Sequence, residues 1–253
     1  MSGLGNLSHL LRKIDEKQEL IKRNRPLDQQ RVKNLKEYFK IGLTYSSNAL
    51  EGGTLTETET KVVIEEGVTI GGKALRDHLD AIGHARAFDF MWELAKRTEM
   101  TEADIQKLHT LCFQPSEGEL AGRYRTVNVV ITGSQYNDRL SAHEAVPNDM
   151  EKLIESSKQQ KVKQHPVEYA AWLHRAFIVI HPFADGNGRV ARLLLNHALI
   201  SRGYPPVVIP PAFKHEYIRA LEQSHERPQV FDEYIAEQVL QAQKDYIRLL
   251  RLA

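Results

Sequence analysis

The sequence predicts a mainly α-helical fold, and three observations support this prediction. Apolar residues recur at every third or fourth position through most of the 253 residues, which is the period of an amphipathic helix. Threonines followed by an acidic residue three positions later mark helix starts, and glycines mark helix ends. A strand-like pattern occurs in one short stretch. With 42% hydrophobic and 26% charged residues, the chain can bury a sizeable core.

Two helices are predicted at the N-terminus. The first carries leucine and isoleucine at helical spacing over residues 7–21, and Pro26 breaks it. The second begins near Asp28 and ends at the pair Gly52 and Gly53. One face of this second helix is mostly apolar and consists of Val32, Leu35, Phe39, Leu43, Ser46 and Leu50.

Helix-capping signals organise the middle of the chain. Thr56 and Glu59 form a capping box, and Thr101 with Asp104 repeats the pattern further on. These signals predict one helix that ends near residue 66 and another that ends near residue 113. A third helix is predicted between them, over about 75–97, after a glycine-rich break.

One segment is predicted to be a β-hairpin on the helical body. Residues 126–132 are rich in valine and isoleucine, which favour strands. The turn-forming pairs Gly133-Ser134 and Asn137-Asp138 follow them.

The C-terminal half is predicted to be helical again. Pro166 opens an apolar helical run to residue 180, and residues 181–189 are predicted to be a loop. A second buried helix is predicted over 190–200, with Asn187 as its N-cap and Gly203 after its end. Two further helices are predicted, from about residue 214 and from residue 231 to the C-terminus.

The loop and the helix after it form the most informative segment, HPFADGNGRVAR at residues 181–192. It places a histidine, a carboxylate and two glycines at a helix start, where backbone N–H groups bind anions. Arg189 and Arg192 lie on the first turn of that helix, where the helix dipole disfavours a cation by about 0.3–1 kcal/mol. Two arginines at this position make sense if they bind an anion. The segment therefore predicts a phosphate site with a base beside it.

The same segment matches the pattern HPFxxGNGRxxR without a departure, and the chain therefore resembles the Fic family. The resemblance implies a Fic-type helical bundle with a β-hairpin flap over the active site. It also implies that His181 is the general base and that Asp185 holds Mg²⁺. The phosphates of the nucleotide are expected to contact Gly186, Asn187, Gly188, Arg189 and, at the γ-phosphate, Arg192.

A second motif lies far upstream. Residues 47–52, SNALEG, resemble the inhibitory motif [S/T]xxxE[G/N] of the family. Ser47 and Glu51 are four residues apart and lie on one face of the predicted helix. The resemblance implies that Glu51, held by Ser47, pairs with Arg192 and prevents productive seating of the ATP γ-phosphate.

Two further regions are assigned roles by the resemblance. The helix after residue 214 resembles the one that contributes to the adenine pocket, and Tyr217 is the candidate ring contact there. The chain departs from many relatives at residues 226–231, where they have Gly-Asp before a Pro-Phe pair. The hairpin is the candidate flap, and an exposed edge could hold an extended target segment by main-chain pairing. The flap residues are Val127, Asn128, Val129, Val130, Ile131 and Thr132.

The resemblance covers most of the chain and indicates a single unit over residues 1–253. Within it, N-terminal helices with the inhibitory motif occupy about 1–53, the core about 54–225 and a C-terminal helix about 226–253. The net charge of +1 provides no global field that favours nucleic acid or a membrane surface. A single cysteine, Cys112, and an N-terminus that lacks the apolar core of a signal peptide predict a cytoplasmic protein.

The predicted function is that of an autoinhibited protein adenylyltransferase. Such an enzyme moves AMP from ATP to a Ser, Thr or Tyr hydroxyl of a target protein, releases pyrophosphate and uses Mg²⁺. Removal of AMP, self-modification and a homodimer stay open on the resemblance alone. A phosphotransferase or another nucleotidyl transferase on the same fold is one alternative, although Gly186 and Arg192 favour AMP transfer. A non-catalytic nucleotide-sensing module is the other, and the retention of His181 argues against it.

Overall fold

The computed structural model describes residues 3–97 and 99–252, and ten α-helices account for most of them. Within these ranges the chain contains no β-strand, and no helix is long and apolar enough to span a membrane. The helices are numbered in chain order: α1 (Gly3–Arg23), α2 (Gln29–Leu50), α3 (Glu57–Glu66), α4 (Leu75–Leu94), α5 (Glu102–Phe113), α6 (Val146–Lys163), α7 (Pro166–Ile180), α8 (Asn187–Ile200), α9 (Lys214–Gln223) and α10 (Pro228–Leu250).

The hydrogen bonds at the starts of α3 and α5 confirm the predicted caps, and the start of α2, which was predicted near Asp28, has a cap as well. The side chain of Asp28 accepts a backbone N–H of α2. Thr56 with Glu59 and Thr101 with Asp104 form complete capping boxes at α3 and α5. Each cap satisfies N–H groups that have no partner inside the helix, which stabilises a helix by about 1 kcal/mol.

Helices α7 and α8 lie side by side at the centre of the molecule. Nearly all of α8 is buried, and Leu193, Leu194 and Leu195 are each 0% exposed. A helix that is buried on all sides in this way forms the middle of a core. Helices α2 and α4 pack against α8, while α10 packs against α7 and along α1. This arrangement brings the C-terminal end of α2 next to the N-terminal end of α8.

The start of α8 differs from the prediction. The helix begins at Asn187, and Gly186 is its N-cap, with a φ of 79° that favours glycine. Asn187 therefore does not cap the helix. Its side chain instead accepts the N–H of Phe183 at 3.0 Å and donates to the carbonyl of Phe183 at 2.8 Å. These two bonds close the motif loop on itself.

Helix α6 has no counterpart in the prediction. It buries only Val146, Met150, Leu153 and Ser157, and its start carries no side-chain cap. A weak apolar stripe without a cap gives little signal in a sequence, so only packing against α7 identifies this helix. The predicted bounds of α4 and α10 are wrong by three residues, because α4 ends at Leu94 and α10 begins at Pro228. The division of the chain into a core and flanking segments stays a prediction.

The predicted β-hairpin is not formed, and residues 126–132 are an irregular loop. Polar side chains bind the main chain where a partner strand would bind it. Asn137 accepts the N–H of Ile131 at 2.7 Å and donates to its carbonyl at 3.1 Å, and Asn128 accepts the N–H of His143 at 2.9 Å. Two of the valines pack against no apolar surface, since Val127 is 62% and Val130 is 78% exposed. A turn does follow at residues 132–133.

Candidate active site

His181 is placed by the abrupt end of α7. It is the C-terminal cap of that helix and adopts a left-handed conformation, with φ 49° and ψ 57°. Its Nδ1 lies 3.3 Å from the carbonyl oxygen of Ile178, which favours the proton on Nδ1 and leaves Nε2 free to accept one. Burial lowers the pKa of His181, so the ring is neutral at pH 7. The side chain can therefore act as a base.

Glycine avoids close contacts at two positions near the start of α8. A Cβ atom on Gly186 would lie 2.0 Å from the Phe113 ring. A Cβ atom on Gly188 would lie 2.3 Å from Oε1 of Glu51. The carboxylate of Glu51 therefore lies beside Gly188 on the first turn of α8, and a helix N-terminus favours a nearby anion.

The first of two charged clusters, here called the Arg192 cluster, joins α2 to α8 through a guanidinium group that is 4% exposed. Arg192 donates from Nη2 to Glu51 Oε1 at 2.6 Å and to the Ser47 carbonyl at 3.0 Å. Its Nε donates to the Ser47 hydroxyl at 2.9 Å. The Tyr217 hydroxyl lies 2.8 Å from Nε2 of His174 and is close enough to Arg192 for the guanidinium to lower its pKa against the effect of burial. The cluster consists of Ser47, Glu51, His174, Arg192 and Tyr217.

The opposite charges of Glu51 and Arg192 offset the unfavourable effect of burial on each other's ionised form. Burial by itself raises the pKa of Glu51, but the adjacent Arg192 outweighs it and holds that pKa below its usual range. Burial likewise lowers the pKa of Arg192, and Glu51 raises it above the usual value. The Glu51 side chain is 40% exposed, so it is the one member of the pair that solvent or a ligand can reach.

The second cluster, here called the Asp185 cluster, lies at the outer side of the motif loop. The Arg76 guanidinium contacts Glu117 at 2.8 Å and Asp185 at 3.2 Å. Arg189 pairs with Asp80 at 3.1 Å and lies 3.9 Å from Asp185. The side chains of Arg76 and Asp185 are about half exposed, at 54% and 53%. The cluster consists of Arg76, Asp80, Glu117, Asp185 and Arg189.

A cavity of about 210 Å³ lies between the two clusters. Glu51 lines it on one side, and Asp185 and Arg189 line it on the other. This volume is below the range of about 300–1,000 Å³ that is usual for a whole ligand pocket.

The loop over the site is held by one buried arginine. Arg125 is 5% exposed and donates to the carbonyl of His181 at 2.8 Å and to that of Val127 at 2.9 Å. Its own N–H donates to the carbonyl of Pro182 at 2.9 Å. Residues 126–132 therefore begin beside the histidine, and Val127 and Val130 are 62% and 78% exposed there.

Comparison with known proteins identifies the family. Residues 99–199 match the Fic/DOC family, and this range includes α5, the loop and the whole motif. The chain belongs to the Fic/DOC family. The protein adenylyltransferase Fic of Nematostella vectensis is 32% identical over 225 residues, which are 85% of this chain and 50% of that protein. The chain thus spans about half the length of this curated relative.

Solved structures of Fic proteins have the same fold. A Glu→Gly form of Fic-1 from Caenorhabditis elegans superposes with a TM-score of 0.87 at 26% identity, over 96% of this chain and 72% of that one. A Fic domain containing signaling protein from Bacteroides thetaiotaomicron superposes with a TM-score of 0.82 at 27% identity, over 97% of each chain. The mainly α-helical Fic fold predicted from the sequence is therefore confirmed.

The motif residues meet at one place in this Fic fold, whereas two predicted contacts are less direct. Tyr217 is 2% exposed, and its ring packs against Phe231 and Tyr234, so it reaches the cleft through its hydroxyl group on Arg192. Arg189 is 3% exposed, and its guanidinium stacks 4.1 Å from the centre of the Phe113 ring. Their roles as nucleotide contacts stay predictions.

Sequence reasoning missed four residues that build the site. Arg76 and Asp80 are four residues apart on α4, a spacing that is common on solvated helix faces and carries no functional signal. Arg125 and His109 act through main-chain groups of the motif, and such contacts have no sequence signature. Burial lowers the pKa of His109 to about 4.

Asp185 is suited to hold a divalent cation together with a nucleotide. Mg²⁺ usually takes one or two carboxylates and completes its shell with phosphate oxygens and water. Within the described residues, no group of three His, Cys, Asp or Glu side chains could hold a metal alone. A half-exposed carboxylate beside an anion site fits a metal that arrives with phosphates.

Proposed function

We propose that this chain is a protein adenylyltransferase that moves AMP from ATP to a hydroxyl group of a target protein. One observation carries the proposal: a histidine whose pKa is lowered by burial ends α7, and the short loop after it leads into the N-terminus of α8, which carries the buried Arg192. The relatives named protein adenylyltransferase Fic support it.

The proposed reaction assigns one task to each group. Nε2 of His181 removes the proton from a Ser, Thr or Tyr hydroxyl, and the oxygen attacks the α-phosphorus. The bond from that phosphorus to the bridging oxygen breaks, and pyrophosphate leaves with the electron pair. N–H groups at the start of α8 stabilise the charge on the phosphoryl oxygens, and Arg192 binds the γ-phosphate. Asp185 would hold Mg²⁺, which neutralises the phosphates when bound.

Glu51 is proposed to inhibit this reaction by taking the place of a phosphate. Its carboxylate already lies beside Gly188 on the first turn of α8 and binds Arg192 at 2.6 Å. The remaining cavity of about 210 Å³ is small for the whole nucleotide. A γ-phosphate must therefore displace Glu51 before ATP is seated for transfer.

The partners belong to the same proposal. The target is a protein whose extended segment lies against the exposed loop at residues 127–132. Self-modification and a homodimer are further expectations from the resemblance, tested by label in the chain itself and by sedimentation. The buried free thiol of Cys112 suits a reducing compartment such as the cytoplasm. The same cleft could also remove AMP, with Glu51 assisting a water molecule.

The test compares the parent, Glu51→Gly and the double variant Glu51→Gly with His181→Ala, each incubated with α-labelled ATP, Mg²⁺ and a cell lysate. Glu51→Gly should increase protein labelling, because the carboxylate no longer occupies the phosphate position. The His181 change should reduce labelling by about 10²–10⁴-fold. Nucleotide binding and the melting temperature should stay close to those of Glu51→Gly alone.

The same assay separates the alternatives. Transfer of a γ-label in place of the α-label would identify a phosphotransferase. Retained ATP binding with no transfer of either label by Glu51→Gly would identify a nucleotide-sensing module. Equal α-labelling by the parent and Glu51→Gly would reject Glu51 as the inhibitory group.

A further inference from the structure

His109 lies on α5 directly against the motif loop and is 1% exposed. Its ring is stacked between two phenylalanine rings. The Phe183 centroid is 3.8 Å away at an interplanar angle of 14°, and the Phe113 centroid is 4.6 Å away at 6°. This stack fixes the plane of the imidazole, so its two nitrogens point in set directions.

Two main-chain groups determine which nitrogen carries the proton. The N–H of Gly122 donates to Nδ1 at 2.8 Å, and a backbone N–H can only donate. Nδ1 must therefore be unprotonated. Nε2 then carries the hydrogen and donates it to the carbonyl of Asp185 at 3.0 Å. The fold thus selects one neutral tautomer of His109.

The hydrogen bond from His109 to the Asp185 carbonyl holds the main chain of Asp185 in place. The Asp185 side chain makes a local bond to the N–H of Gly186 at 2.6 Å and is otherwise paired with arginines. In the described part of the chain, its carbonyl is tied to another helix only through His109. That bond sets the peptide plane next to the Cα atom from which the carboxylate projects.

The second bond connects the same ring to the other side of the cleft. Gly122 precedes Arg125, which donates to the carbonyl of His181. His109 therefore joins the loop that carries Asp185 to residues 122–125, and Arg125 in that segment binds the carbonyl of His181.

We propose that His109 is a positioning residue that aims the Asp185 carboxylate at the divalent cation of the nucleotide. It transfers no proton and touches no substrate; it acts through the carbonyl of Asp185. The inference rests on the proposed function for the identity of the cation site, but its test does not require AMP transfer.

Two variants separate the two hydrogen bonds. In His109→Asn, the amide oxygen can replace Nδ1 as the acceptor for Gly122, but the side chain is too short to reach Asp185. In His109→Gln, the amide nitrogen can replace Nε2 as the donor to Asp185, while the N–H of Gly122 loses its partner. Both variants lose the stacked ring, so any effect of lost stacking is the same in each.

The main measurement is the binding of Mn²⁺, in place of Mg²⁺, to each protein in the Glu51→Gly background saturated with a non-hydrolysable ATP analogue. Free Mn²⁺ is followed by electron paramagnetic resonance. His109→Asn should weaken Mn²⁺ binding by about 10–100-fold, the usual effect of removing a group that orients a metal ligand. His109→Gln should remain within a few-fold of the parent. Equal weakening in both variants, or none in either, would overturn the proposal.

Two further measurements keep the test decisive. If the Asn variant fails to fold, His109→Phe keeps a stacked ring without either hydrogen bond and should show the same loss of Mn²⁺ affinity. Nitrogen chemical shifts of His109 in the parent should show the tautomer with hydrogen on Nε2, and a proton on Nδ1 would overturn the assignment. Absence of AMP transfer by the parent and by Glu51→Gly would reject the proposed function and leave both readouts valid.

Discussion

The two charged clusters at either side of the cleft are built in opposite ways. In the Arg192 cluster, the guanidinium is 4% exposed and is held by a hydroxyl, a carbonyl, a phenol and a carboxylate. In the Asp185 cluster, Arg76 and Asp185 are both about half exposed and are joined by a side-chain ion pair at 3.2 Å. The first cluster is part of the core, whereas Arg76 and Asp185 of the second lie at the surface.

This difference indicates how a nucleotide would enter. Exposed ion pairs contribute about 0–1 kcal/mol, so a metal ion can displace Arg76 from Asp185 at little cost. A buried arginine is costly to leave unpaired, and the two bonds from Arg192 to Ser47 do not depend on Glu51. Only one carboxylate must therefore be exchanged for a phosphate. Binding needs no rearrangement of the core.

The largest expected effect in this comparison is that of Arg192→Ala, tested in the Glu51→Gly background. ATP affinity should fall by about 10–100-fold, because hydrogen bonds to charged groups contribute about 1.5–3 kcal/mol. Calorimetry at constant ionic strength measures this change. The control is Arg86→Ala, which removes an exposed arginine of α4 and should leave the affinity unchanged. Unchanged affinity in the Arg192 variant would remove that residue from the γ-phosphate site.

A second prediction concerns acid, which should weaken the packing around the Arg192 cluster. His84 joins α4 to α2 through Thr44, with Nδ1 3.0 Å from its hydroxyl, and burial with the nearby Arg192 and Arg189 lowers its pKa from 6.5 to about 3. Because the folded pKa lies below the unfolded one, this stability is present above pH 6.5 and is lost as the pH falls towards 3.

His84→Asn keeps a polar group near Thr44 but does not titrate. The free energy of unfolding of the parent, minus that of the variant, should therefore decrease by about 2 kcal/mol between pH 7.5 and pH 5.0. Urea unfolding at the two pH values measures it. A difference that stays constant with pH would show that His84 is protonated to the same extent in the folded and unfolded states.

The smallest effects are expected in the Asp185 cluster, where two variants should act in opposite directions. Asp185→Asn should raise the Mg²⁺ concentration needed for half-maximal transfer, because a carboxylate ligand is lost. Arg76→Ala should lower that concentration by up to about five-fold, the equivalent of about 1 kcal/mol for an exposed pair. Each should change the free energy of unfolding by less than about 0.5 kcal/mol. Shifts in the same direction would contradict the competition between Arg76 and the metal.

The sequence predicted the parts of the site whose signals are local. Each of the two motifs lies within a short stretch of the chain. One is formed by the glycines and arginines of residues 181–192, and the other by Ser47 and Glu51, which are one helical turn apart. The bounds of α3 and the capping boxes at α3 and α5 were predictable for the same reason. Residues 126–132 mark where this reasoning fails. Valines favour a strand only when another strand pairs with them, and here asparagine side chains bind the main chain instead.

The sequence by itself determined that the chain is a helical Fic protein, and it predicted a base and an anion site on one loop. The pairing of Glu51 with Arg192, 141 positions away, was implied by the family resemblance, and only the tertiary structure brings the two side chains into contact. The tertiary structure also decided that Arg76 pairs with the Asp185 carboxylate and that His109 binds the Asp185 carbonyl. Helix periodicity and caps arise from neighbours along the chain. Ion pairs and main-chain contacts between helices join residues that are far apart in the sequence. They depend on how the helices pack in the core, because that packing determines which helix ends meet.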